Sequence, residues 1–123
     1  MNKNKIIYWT TTGIISAMML FSAFSYLTNP DMKAAFVHLG FPDYFRIELA
    51  LLKVFGTLAL LLPMVSDKIK SFAYFGFALT FVSASIAHYA SGDPISAVVT
   101  PIVFLLILGI SYTFHGKIKA QLK

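Results

Sequence analysis

The 123-residue chain is 58% hydrophobic and only 12% charged, with a mean hydropathy of +0.76. A soluble domain carries roughly twice that charged share, so a water-solvated globular fold is excluded. The formal charge of +5 sits between and beyond the apolar runs, which is the pattern of membrane topology and not of a nucleic-acid patch. The absence of cysteine removes disulfides, thiol catalysis and thiolate metal sites.

After Lys3 and Lys5 comes an uncharged stretch of 25 residues, Ile6 to Pro30. It predicts a first span over residues 6–27. The stretch is longer than the apolar core of a signal peptide, carries Tyr8 and Trp9 near its start and has no Ala-x-Ala site after it. It therefore reads as an uncleaved helix. Asn29-Pro30 then pairs an N-cap with proline at the first helical position. Met32, Ala35, Phe36 and Leu39 follow at helical spacing, and Gly40 supplies a stop. This predicts a short amphipathic helix in the first outer loop, lying on the outer surface or over the bundle mouth, with His38 off its apolar stripe and facing solvent.

Phe41-Pro42-Asp43 turns the chain into a second span over 44–65, which holds Arg46, Glu48 and Lys53. A basic turn, Ser66–Lys70, leads to a third span over 71–91. There Gly76, Thr80, Ala84 and His88 recur every four residues, and small residues on one stripe predict the face packed on other helices. His88 would then point inward. Asp93-Pro94 repeats the cap-then-proline signal and opens a fourth span over 94–115, with Pro101 as a kink and His115-Gly116 as its end. The whole is an all-α, four-transmembrane-helix antiparallel bundle, one domain over 1–123.

Four spans place Lys3, Lys5, Lys68, Lys70, Lys117, Lys119 and Lys123 on one side, against Lys33 and the boundary residue Arg46 on the other. The positive-inside rule puts both termini in the cytoplasm. Tyr8, Trp9, Tyr26, Tyr44, Tyr89 and Tyr112 near the span ends read as interfacial aromatics.

Lysine at mid-depth costs roughly 2.5–3.5 kcal/mol on insertion scales, so Lys53 must be partnered or used. It lies seven residues after Arg46, on nearly the same face. Glu48 is about 140° away round the helix, so the two are not natural partners. The residues leave two readings of Lys53: a hydrogen-bonding post, or a ligand or proton site. Its partner should be another helix, a backbone carbonyl or trapped water, with the His88 stripe and a carbonyl freed by Pro101 the nearest candidates. Arg46 is placed to pair with Asp43 across i,i+3. Glu48 is expected either to pair across the bundle, with His88 in reach, or to hold a proton. Asp93 reads as the N-cap of the fourth span. The carboxylates and imidazoles show no metal-ligand spacing.

Several stretches resemble the DoxX-like family of small bacterial membrane proteins. They are Tyr8-Trp9-Thr-Thr-Thr-Gly13, Ser25-Tyr26-Leu-Thr-Asn-Pro30, His38-Leu-Gly40-Phe-Pro42-Asp-Tyr44-Phe-Arg46, Leu52-Lys53-Val-Phe-Gly56 with Leu62-Pro63, Lys70-Ser-Phe-Ala73-Tyr74-Phe-Gly76-Phe, and His88-Tyr-Ala-Ser-Gly92-Asp93. The resemblance runs over nearly the whole chain. It implies a four-helix protein of the bacterial inner membrane, with Arg46, Lys53, His88 and Asp93 at positions where the family pattern favours such residues. The family takes its name from a relative of a membrane subunit of thiosulfate:quinone oxidoreduction, and it has no agreed catalytic set to carry over.

The resulting expectation is an accessory or ligand-binding component of a membrane redox system. Arg46, Glu48, Lys53 and His88 would line an outward-facing pocket for a quinone or lipid. The expected partners are the bilayer and a membrane redox protein or a second copy, with no nucleic acid. The alternative is a small proton-linked transporter. An enzyme ranks last, since the chain shows no nucleophile–base pair, metal motif or nucleotide fingerprint.

Overall fold

The computed structural model describes residues 2–122, so Lys123, counted above with the basic side, lies outside the described residues. Among the described residues there are five helices and no strand: α1 (Lys3–Thr28), α2 (Pro30–His38), α3 (Asp43–Leu61), α4 (Asp67–Ala90) and α5 (Ile95–Gln121). Three of them, α1, α4 and α5, are long and apolar enough to cross a membrane. In α3, Arg46, Glu48 and Lys53 interrupt the apolar sequence.

Local chemistry sets most of the boundaries. The Asn2 side chain accepts the Lys5 amide at 3.0 Å and opens α1 earlier than the apolar run alone predicts. Asn29 caps α2 through the Asp31 amide at 2.9 Å, with Pro30 in the first turn, as expected. Helix α3 stops at Leu61, four residues short of the predicted end, because Pro63 pushes Leu62 to extended geometry (ψ 123°). Ser66 then caps α4 through the Ile69 amide, so Lys68 and Lys70 are helical and not part of a turn.

The other end of α5 departs from expectation. Gly116 does not stop it, and the helix runs on to Gln121. Asp67 in the first turn of α4 receives Lys119 Nζ at 2.6 Å and His115 Nε2 at 3.4 Å. His115 and Lys119 are one turn apart, so this double contact holds the extra turn helical.

Helix α1 packs on α3 and α5, and α4 packs on α5 and α3, while α2 rests on α3 and α1. Ile15, Met19, Leu60, Phe77, Phe81 and Leu108 form the apolar core. Gly56 permits the α3–α4 approach, since a Cβ there would lie 2.6 Å from Phe77 Cζ. The buried face of α4 is Lys70, Tyr74, Phe77, Phe81 and Ser85, so the predicted small stripe is displaced by one residue: Gly76 is exposed, and Thr80, Ala84 and His88 are half-buried beside the core. Large aromatics fill the centre, and the small residues make room along its flank.

Tyr8 is also corrected. It is buried, not interfacial, near a hydroxyl cluster in which Ser111 Oγ lies 2.7 Å from Thr12 Oγ1 and 2.6 Å from Tyr74 Oη. Tyr26 likewise turns inward, whereas Trp9, Tyr44, Tyr89 and Tyr112 are exposed.

Candidate functional site

Two helix endings build the α2 end of the molecule. Helix α2 closes with Gly40 at φ +86°, where the Gly40 amide reaches Val37 O at 3.0 Å and the Phe41 amide reaches Phe36 O at 2.9 Å. Helix α4 closes the same way, with Gly92 at φ +75°, the Gly92 amide on Tyr89 O at 3.2 Å and the Asp93 amide on His88 O at 3.0 Å. Both are Schellman endings, which need a left-handed residue that glycine supplies without strain. The second ending folds Asp93 back over His88.

Asp93 is therefore not the cap of α5. Pro94 occupies the cap position and makes no side-chain cap bond. The carboxylate is already taken: Oδ2 lies 2.6 Å from His88 Nδ1 and Oδ1 lies 2.7 Å from His38 Nε2. The hydrogen bond from His88, and after it the one from His38, holds the Asp93 carboxyl below the usual carboxylate range. His38, expected to face solvent alone, is half-exposed but tethered, and through it α2 is tied to the end of α4. Each imidazole takes a different oxygen, and no group of three such side chains among the described residues is arranged to hold a metal ion.

Arg46 and Lys53 share the buried face of α3, as their spacing predicts. Arg46 binds Asp43 Oδ1 at 3.0 Å through Nη2, the expected i,i+3 pair, and also donates to the Tyr26 carbonyl. Lys53 donates to Ser22 Oγ at 2.7 Å, with its ammonium 3.8 Å from the centre of the Tyr26 ring. Both cations thus converge on Tyr26 of α1. The partner of Lys53 does come from another helix, but neither the His88 stripe nor Pro101 provides it. Helix α5 continues through Pro101, and the Val98 carbonyl one turn before it accepts from Ser85 Oγ at 2.8 Å. Glu48 stands exposed on α3, with no hydrogen bond or ion pair among the described residues. The expected Glu48–His88 pairing is not formed, because Asp93 holds the histidine.

The four predicted site residues therefore divide. Arg46 and Lys53 meet at the α1–α3 seam, His88 belongs to the α2–α4 end, and Glu48 joins neither. A cavity of about 350 Å3 opens under α2, walled by Tyr26, Phe36, Phe41 and Phe45 on one side and by Thr80, Ser83, Ala84 and His88 on the other. Phe36 packs edge-on against Tyr26 at 4.8 Å and closes the roof. A second cavity of about 320 Å3 follows the α3–α4 seam and shares Leu49 and Thr80 with the first. Its walls are apolar apart from Lys53 and Thr80, with Phe55, Ile69 and Phe72 among them.

Residues left out of the expected pocket matter here. Ser22 and Tyr26 sit one turn apart on α1, an arrangement common in spans and so uninformative alone. His38 and Asp93 had a better signal: each lies within two residues of a glycine that ends a helix, His38 before Gly40 and Asp93 after Gly92.

Over residues 10–111 the chain matches the DoxX-like family, and it belongs to that family. No curated protein and no solved structure matches it.

Proposed function

With membership of that membrane family as premise, we propose that the protein is a four-span bundle that holds a small ring-bearing ligand with an apolar tail, a quinone or a lipid. Helix α3 acts as the fourth leg. Its two buried cations are neutralised or solvated by Asp43, Ser22 and Tyr26, and at 19 residues it has the length of a hydrocarbon core of about 30 Å. The bundle sits in the bacterial inner membrane as one domain with both termini in the cytoplasm, a reading supported by Lys3, Lys5, Lys68, Lys117 and Lys119 at the terminal end.

One observation carries the ligand reading. Two adjoining cavities, about 350 and 320 Å3, put an aromatic chamber with a histidine at the mouth of an apolar groove. Binding sites of this size are typically apolar with a few placed polar groups. A flat head suits the chamber, and a hydrocarbon tail suits the groove. The role is accessory to a membrane redox partner and not catalytic in itself. The transport alternative loses its proton pair, since Glu48 and His88 do not meet.

Purification of the wild-type protein and Ala84→Phe in mild detergent, with mass spectrometry of co-purifying small molecules, tests this. Ala84 lines the chamber, so the phenylalanine should displace the ligand and reduce binding of added decyl-benzoquinone by about tenfold or more. Equal ligand content in the two preparations would count against the chamber.

A further inference from the structure

Two polar groups in the chamber wall, His88 and Thr80, have a defined hydrogen-bonding sense, whereas the hydroxyls of Tyr26 and Ser83 can donate or accept. An ionised carboxylate only accepts, so the 2.6 Å contact between Asp93 Oδ2 and His88 Nδ1 requires the proton on Nδ1. In a neutral imidazole the other nitrogen is then an acceptor. His88 Nε2 has no hydrogen bond among the described residues, and the ring lines the chamber. His38 Nε2, at 2.7 Å from Asp93 Oδ1, engages the other carboxylate oxygen and fixes the acid in place. Thr80 has the same bias: its hydroxyl donates to the Gly76 carbonyl at 2.9 Å, which leaves lone pairs for the chamber.

We propose that this chamber selects a hydroxylated aromatic ring, a phenol or hydroquinol, whose O–H donates to His88 Nε2, over the corresponding carbonyl or ether. The inference rests on the ligand reading above and deepens it: of an oxidised and reduced pair, the chamber retains the reduced member. Asp93 is a positioning residue in this scheme. It sets the tautomer of His88 and does not touch the ligand. A carbonyl head placed at His88 would set its own lone pairs against those of Nε2 and Thr80, and an unpaired buried acceptor is costly.

The test uses the full chain in nanodiscs with two probes, 4-decylphenol and 4-decylanisole, the second carrying a methyl in place of the hydroxyl proton. The phenol should bind at least about tenfold more tightly, as expected where a site hydrogen-bonds a substrate hydroxyl. His88→Leu should erase that ratio. Nitrogen-15 spectra of the histidine side chains should show His88 protonated at Nδ1, with Asp93→Leu removing the bias. Equal or tighter binding of the anisole, blocked by Ala84→Phe, overturns the donor requirement while leaving the chamber as the site. Binding of neither probe, or binding of both untouched by Ala84→Phe, overturns the ligand reading itself. A proton found on Nε2 overturns the tautomer even where a variant fails to fold.

Discussion

Lys53 and Lys70 are both buried, each only 6% exposed, yet their surroundings differ. Lys70 donates to three carbonyls at the end of α3: Ala59 at 2.8 Å, Leu60 at 3.1 Å and Leu62 at 3.0 Å. An ammonium has three protons, so Lys70 is saturated. It also sits at the negative end of the α3 dipole, where the last carbonyls lack helical partners. Lys53 has one hydroxyl acceptor, Ser22, and the face of the Tyr26 ring. Burial alone does not distinguish a structural cation from a usable one; the number of acceptors around it does.

The largest expected effect follows from that count. Lys70→Met removes three charge-assisted bonds and leaves the last carbonyls of α3 unpaired inside the protein. It should lower stability by about 3 kcal/mol or more. Thermal unfolding in detergent, followed by circular dichroism, would register it. A loss under about 1 kcal/mol would mean that the carbonyls find other donors, and the contrast between the lysines would weaken.

Lys53→Met should cost less, about 1 kcal/mol. It loses one hydroxyl bond and a cation–π contact, and it gains relief from burying a charge. The same unfolding measurement ranks the two variants. If Lys53→Met proves as damaging as Lys70→Met, Lys53 is a structural post of equal weight, and the saturation criterion fails.

The two lysines also show where sequence reading reaches. Lys53 was visible because charge inside an apolar run has no other explanation. Its shared face with Arg46 follows from seven residues of helical spacing, and the family resemblance covers both positions. Lys70 drew no role of its own: it too stands in a stretch that carries the resemblance, but at the edge of an apolar run beside Lys68, where topology already accounts for it. Only the fold-back at Pro63 and the cap at Ser66 bring it under the end of α3. The helices themselves, including α2 with its Asn29 cap, were legible because caps, prolines and apolar spacing are local. The candidate site was legible only in part, because His88, Asp93 and His38 come together through two glycine-ended helices distant in sequence. The pairing of Glu48 with His88 rested on reach alone, that is, on the two residues lying at a similar height in adjacent spans. Height ignores azimuth, and Glu48 points outward.

The smallest expected effect lies one turn beyond Lys53. Thr57 is fully buried on the same face of α3, and its hydroxyl has no hydrogen-bond partner among the described residues, as is true of Ser16 Oγ on α1. If the surroundings of Lys53 lack acceptors because the α1–α3 seam is under-satisfied, deleting a neighbouring orphan hydroxyl should cost nothing. Thr57→Val keeps the β-branched shape and removes only the polar atom, so it should leave stability unchanged or raise it by up to about 1 kcal/mol. Ser16→Ala should behave alike, with a small offset for its lost volume. A clear loss of stability in Thr57→Val would mean that the hydroxyl has a partner, such as a buried water, and that Lys53 lies beside a hydrated seam and not a dry one. A second acceptor for Lys53 would then be at hand, and the distinction between the two lysines would narrow.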